Sequence, residues 1–239
     1  MKKVLTSTLL SATILGAGLV VSSNVSAETV KEGAQTATAV QFVGGTDPVT
    51  PVDPTDPTKP VDPDNPDNPG TGNPGPLSIA YATKSISFGD SNKITATKYE
   101  LGAKQDVTVE VGDVRGNNAG WALSVKSDQL SDGDKTNPQV LKGAKISFGL
   151  GTGSSFVANG GTSVGATKSV IDDTTTGGVV LNAAGVIKDG PNKGESQGSG
   201  LNVDTIKQDE IMLTVPANAA TADVAYKSTL NWTLSDVPA

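Results

Sequence analysis

Tyr226-Lys-Ser-Thr-Leu230-Asn-Trp232-Thr-Leu234-Ser235 places a large or apolar side chain at nearly every second position. Tyr226, Ser228, Leu230, Trp232 and Leu234 fall on one side, and Lys227, Thr229, Asn231, Thr233 and Ser235 on the other, which is the two-residue period of a half-buried strand. The same period recurs upstream. Val107, Val109 and Val111 oppose Thr108 and Glu110; Ile146, Phe148 and Leu150 oppose Ser147 and Gly149; Ile211, Leu213 and Val215 oppose Met212 and Thr214. Each run predicts a strand with one wet face. Turn formers at Gly102, Gly116-Asn-Asn, Asp132-Gly-Asp, Asn159-Gly-Gly, Thr176-Gly-Gly and Asp189-Gly-Pro separate these runs, and no window of helical period competes. From Leu77 onward the chain is therefore expected to be all-β, a single antiparallel β-sandwich or open barrel. Its core must be mostly Val, Ile and Leu, because aromatic residues are 4% of the chain. Gly149 to Gly165 and Thr174 to Gly200 read as long Gly/Ser/Thr-rich loops holding some short strands, and loops are where binding usually resides.

The N-terminal third has a different character. Lys2 and Lys3, an apolar run from Leu9 to Val21, and Val25-Ser26-Ala27 before Glu28 read as a secretory signal peptide, residues 1–27, cut after Ala27. Residues 28–46 form a short mature segment in which Thr36, Thr38, Val40 and Phe42 alternate as a short strand would; it is too short to fold alone, and whether it pairs back onto the main sheet, making the proline tract an excursion from one domain, is open. Residues 47–76 carry ten of the fourteen prolines, and Pro48, Pro51, Pro54, Pro57, Pro60, Pro63, Pro66 and Pro69 recur every third residue. That is one turn of polyproline II, so an extended Asp/Pro-rich spacer reaching on the order of 90 Å is predicted at about 3.1 Å per residue. Residues 77–239 make up the β domain.

Composition excludes several classes of function. Removing Lys2 and Lys3 takes the net charge from −7 to −9, which argues against nucleic acid and against an electrostatic grip on an anionic wall or membrane. No cysteine is present, so neither a disulfide scaffold nor a lipid-bearing thiol is possible. With no histidine either, most catalytic constellations and the common zinc sites are excluded. Gly161-Thr-Ser163-Val-Gly165 matches a nucleophile elbow in letters only, because it lacks a base to activate Ser163. A carboxylate pair for glycoside hydrolysis is disfavoured, since the acidic residues lie mostly in turns. Calcium is a further option, with Asp128, Asp132 and Asp134 close together and Asp172 beside Asp173, although acidic turns are commonly just solvated. No other cofactor is implied.

Trp121-Ala-Leu123 repeats the Trp-x-Leu of Trp232-Thr-Leu234 about a hundred residues earlier. Together with Tyr226-x3-Leu230-x-Trp232-x-Leu234-x3-Pro238, Asp113-Val-Arg115-Gly116 before Gly120-Trp121, and Leu141-Lys-Gly-Ala-Lys-Ile146, this layout resembles the WxL-domain family of Gram-positive cell-surface proteins over roughly residues 76–239. Asn231 stands where that family usually has Thr. The resemblance implies a secreted, non-enzymatic protein of the cell-wall surface. It would attach non-covalently to peptidoglycan through its C-terminal domain, alongside membrane-anchored surface proteins and other WxL-type proteins. No Leu-Pro-x-Thr-Gly sorting sequence occurs, in keeping with non-covalent attachment. The alternative is an adhesin, or a subunit of a surface complex that binds host or partner proteins and is held to the cell by a membrane-anchored partner.

The residues that carry either reading are Trp121, Leu123, Trp232, Leu234, Tyr226, Asp113 and Arg115. Trp121 and Trp232 share faces with apolar neighbours, which favours a core role; the other reading puts one indole in a surface groove, stacked on a sugar with its N–H free to donate. Asp113 and Arg115 read as a structural ion pair in preference to ligand contacts.

Overall fold

The computed structural model describes residues 35–53, 56, 59–60, 70–150, 156–158 and 164–239. The signal peptide, Asn159-Gly-Gly and Ser163 lie outside them. Contacts divide the chain into Met1–Gln41 and Phe42–Ala239. Among the described residues of the first unit, no strand forms; the backbone of residues 35–43 has no ladder partner, and Val40, Phe42 and Val43 are exposed. The alternation over Thr36–Phe42 therefore does not become a strand, because a strand needs an edge to pair with.

The second unit is all-β. In chain order its strands are β1 Leu77–Ala82, β2 Tyr99–Gly102, β3 Val107–Asp113, β4 Trp121–Ser127, β5 Lys145–Phe148, β6 Phe156–Ala158 and β7 Thr167–Lys168. They continue as β8 Gly178–Ala183, β9 Gly185–Val186, β10 Ser196–Gln197, β11 Gly200–Ile206, β12 Ile211–Val215 and β13 Leu230–Ser235. The strands of each sheet pair antiparallel, in the orders β1-β3-β11-β6, β13-β4-β8-β7, β2-β12-β5 and β10-β9, and no barrel closes. Among the described residues no helix is long and apolar enough to cross a membrane.

The two four-stranded sheets share one core: Val109 and Val111 from β3 pack with Trp121 and Leu123 from β4 and with Leu181 and Ala183 from β8. A second cluster joins Ile146 and Phe148, Ile211, Leu213 and Val215 to Val107, Val125 and Ile206, so the three-stranded sheet extends the same interior. Strand β8 lies inside the Gly/Ser/Thr-rich stretch Thr174 to Gly200 and is central to its sheet, with Val180, Leu181 and Ala183 buried.

Three expectations change. Strand β3 has no wet face, because Thr108, Glu110 and Gly112 are as buried as Val107, Val109 and Val111. The cover is the beginning of the Asp/Pro-rich stretch: Val49 and Val52 pack with Ala80, Leu201 and Val203, and Val49 occupies the space a side chain at Gly112 would need. That stretch is accordingly not an extended rod where it is described. Val52 bridges to Pro60, and Asp53 N–H donates to Lys59 O at 2.8 Å, so Val52 and Asp53 lie beside Lys59 and Pro60. Burying Val49 and Val52 outweighs the extension that proline and aspartate favour. Finally, β13 starts at Leu230 instead of Tyr226, because the backbone before it bonds to the residues after β4, with Lys227 and Ser131 exchanging hydrogen bonds at 2.7 and 2.9 Å.

Candidate functional site

The two Trp-x-Leu segments lie side by side. Strands β4 and β13 pair antiparallel with Leu123 opposite Leu234 and Val125 opposite Trp232, so both motifs turn their large side chains to the shared interior. Their tryptophans have different fates. Trp121 is fully buried, and its Nε1–H donates to Gly198 O at 2.9 Å. Asn202 Nδ2 donates to the same carbonyl at 2.8 Å, while Asn202 Oδ1 accepts from Ala166 N–H at 3.2 Å. A side chain at Gly198, which has φ of 76°, would collide with Ala183 and the indole, so glycine is required there. Burial and a satisfied N–H place Trp121 in the core.

Asp113 and Arg115 meet as the structural pair expected of them. Arg115 Nε donates to Asp113 Oδ1 at 2.9 Å and Nη2 to Oδ2 at 2.8 Å, with Asp113 almost wholly buried. Arg115 Nη2 also reaches Gly120 O at 2.7 Å. The clamp therefore spans the loop that carries the chain from β3 in one sheet to Trp121 in the other. Its bond to Asp113 holds the guanidinium further toward its charged form. Gly120 has φ of 79°, and a side chain there would strike the Ala183 carbonyl.

Trp232 is only half-buried. One face stacks on Phe148, with ring centroids 6.2 Å apart and planes within 7°. It also borders a groove of about 1200 Å³. Leu101, Ile146, Leu213 and Val215 supply apolar side chains to this groove, and residues 82–94 and 220–230 form its walls. Tyr99 Oη accepts Thr95 N–H at 2.7 Å and Tyr226 Oη accepts Thr221 N–H at 3.1 Å, so each tyrosine braces a neighbouring loop while its ring faces the groove. Phe88 adds a further ring. The ionic side chains lining it are Lys84, Lys93, Lys227, Asp90 and Asp223, a nearly neutral set in an acidic protein. Among the described residues the Trp232 indole N–H has no hydrogen-bond partner.

The profile of a known family, described as WxL domain surface cell wall-binding, matches residues 29–238. The chain belongs to the WxL family. No curated protein and no solved structure matches it.

In this WxL protein the seven residues singled out in the sequence therefore separate into two groups. Asp113, Arg115, Trp121, Leu123 and Leu234 build the seam between the sheets, whereas Trp232 and Tyr226 belong to the groove. Asn231 is exposed on β13, and its amide faces Asp128 Oδ1 at 3.5 Å. The calcium option finds no support among the described residues, where no cluster of three acidic side chains could hold a metal ion. Asp132 Oδ1 accepts the N–H groups of Asp134 and Gln139, and Asp134 Oδ1 those of Thr136 and Asn137, which holds the Asp134 carboxyl below its ordinary range. Burial alone would raise Asp173, but the Thr175 hydrogen bonds and the Lys145 ion pair outweigh it and keep that carboxyl low.

Phe88, Tyr99, Gly198 and Asn202 escaped the sequence reading. Two of the three tyrosines in the chain reach the groove, so the scarcity of aromatics was a usable signal. Asn202 gave none, since a buried polar residue on a strand looks like any other until its partners are known.

Proposed function

We propose that this chain is a non-enzymatic surface protein that attaches non-covalently to peptidoglycan, and that the glycan lies in the groove beside Trp232. The observation that carries the reading is the half-exposed indole, stacked on Phe148 and bordering a groove lined by both apolar and polar side chains, its N–H unpaired among the described residues. A sugar ring has an apolar face for such a surface and hydroxyls for the N–H and the polar rim. Membership of a surface cell-wall-binding family supports the same reading. The secreted form, held at the wall without a covalent link, follows from it.

The test is co-sedimentation of the purified protein with peptidoglycan stripped of teichoic acids. The protein is expected to pellet, and to pellet as well or better at high salt, because screening relieves repulsion between a chain of charge −9 and an anionic wall. Trp232→Ala is expected to weaken binding about tenfold, on the scale of about 1.4 kcal/mol for one aromatic contact, while circular dichroism still reports a folded domain. Binding unchanged in that variant would remove the groove from the account. A folded wild-type protein left in the supernatant would favour attachment through a membrane-anchored partner protein.

A further inference from the structure

Lys168 lies at the end of β7 opposite Leu181, and Asp204 lies in β11 opposite Val109, so both point into the space between the two sheets. The Lys168 side chain is 12% exposed and that of Asp204 is 0% exposed, with Nζ 2.5 Å from Oδ1. An ammonium donating to a carboxylate normally stands about 2.7 to 2.9 Å away, along a lone pair. Here the amine is closer, yet neither Asp204 oxygen receives a hydrogen bond of acceptable geometry. Two residues before each partner, Ala166 N–H, just ahead of β7, donates to Asn202 Oδ1 on β11. The strands are thus fixed against each other immediately beside the pair, which presents the amine to the carboxyl without a search.

We propose that Lys168 and Asp204 condense after folding into an intramolecular amide that joins β7 to β11, and with them the two sheets. Attack requires a free amine lone pair, so the first step passes a proton from the ammonium to the carboxylate and leaves an amine facing a carboxylic acid. Burial pushes the Asp204 carboxyl up, against the opposing pull of Lys168. The amine nitrogen then attacks Cγ. An N–Cγ bond forms, the Cγ–OH bond breaks, and the hydroxyl leaves with one amine proton as water, while the other amine proton stays on the amide. Nothing is oxidised or reduced, and two buried charges are eliminated. In a chain without cysteine, this bond is a covalent tie across the core where no disulfide can form.

Mass spectrometry of the denatured full chain tests the proposal. The protein is expected to be one water lighter than its sequence requires, and fragmentation is expected to yield a branched peptide joining the segments that contain Lys168 and Asp204. Lys168→Arg keeps the charge pair but holds its proton, so that variant is expected at full sequence mass. Asp204→Asn is expected to lose ammonia in place of water. The wild-type mass decides the matter even where a variant does not fold: a folded protein at full sequence mass after prolonged incubation at neutral and at mildly acidic pH would overturn the proposal.

Discussion

Trp121→Ala is expected to destabilise the domain by about 3 to 5 kcal/mol, the cost of removing a buried tryptophan from a packed core. The indole is fully buried between Val109, Val111, Leu123, Leu181 and Ala183, so truncation leaves a cavity bounded by two sheets that hold each other apart. The Gly198 carbonyl also loses one of its two donors. A domain of this size has a total stability of about 5 to 15 kcal/mol, and the change consumes a large part of it. Urea unfolding followed by circular dichroism measures the loss; a midpoint equal to wild type would show that Trp121 does not organise this core. The consequence for function is direct. Failure of Trp121→Ala to bind wall material reports unfolding, whereas failure of a folded Trp232→Ala reports lost contact, and only the second bears on the ligand.

Glu110 is expected to make stability fall as pH rises from about 4.5 to 7. Its side chain is fully buried beside Val52, with Oε2 accepting Val52 N–H at 2.9 Å and Oε1 accepting no hydrogen bond. Burial, reinforced by the charge of Asp53 and only partly offset by the Val52 hydrogen bond, raises the carboxyl from 4.5 to about 7. Around it, Tyr81 faces from β1 and Val203 from β11, while Asp53 acts on it from the covering segment. The folded protein therefore keeps a proton that the unfolded chain releases above pH 4.5. Its favourable contribution is complete below pH 4.5, declines between 4.5 and 7, and is gone above 7, a loss of at most about 3 kcal/mol. Glu110→Gln keeps an acceptor for Val52 without the charge, so its thermal midpoint is expected to vary less with pH and to exceed wild type at pH 8. Asp204, whether free or joined to Lys168, is the same in both proteins and cancels in the comparison. Parallel pH profiles for the two proteins would refute the assignment.

Much of this was legible in the chain. The alternation at Val107, Ile146 and Ile211 became β3, β5 and β12, and the paired Trp-x-Leu segments became adjacent strands with Leu123 opposite Leu234. Asp113 and Arg115, two residues apart, could be matched from sequence because they are close enough to meet through one turn. At residues 35–43 the local pattern misleads: Thr36, Thr38, Val40 and Phe42 alternate as well as any strand here, yet the segment pairs with no ladder.

By itself, the sequence determined the all-β class, the family and the exclusion of histidine and cysteine chemistry, since all three depend on local periodicity, motif spacing or residue inventory. Tertiary structure alone decided which tryptophan is core and which borders a groove, that β3 is covered on both faces, and that Lys168 meets Asp204. The reason is physical. Alternation says that a strand has two faces, but what covers each face comes from residues far away in the chain: Val52 lies 58 residues from the Glu110 it caps, and Gly198 lies 77 from the indole it receives. No local pattern encodes partners at that distance.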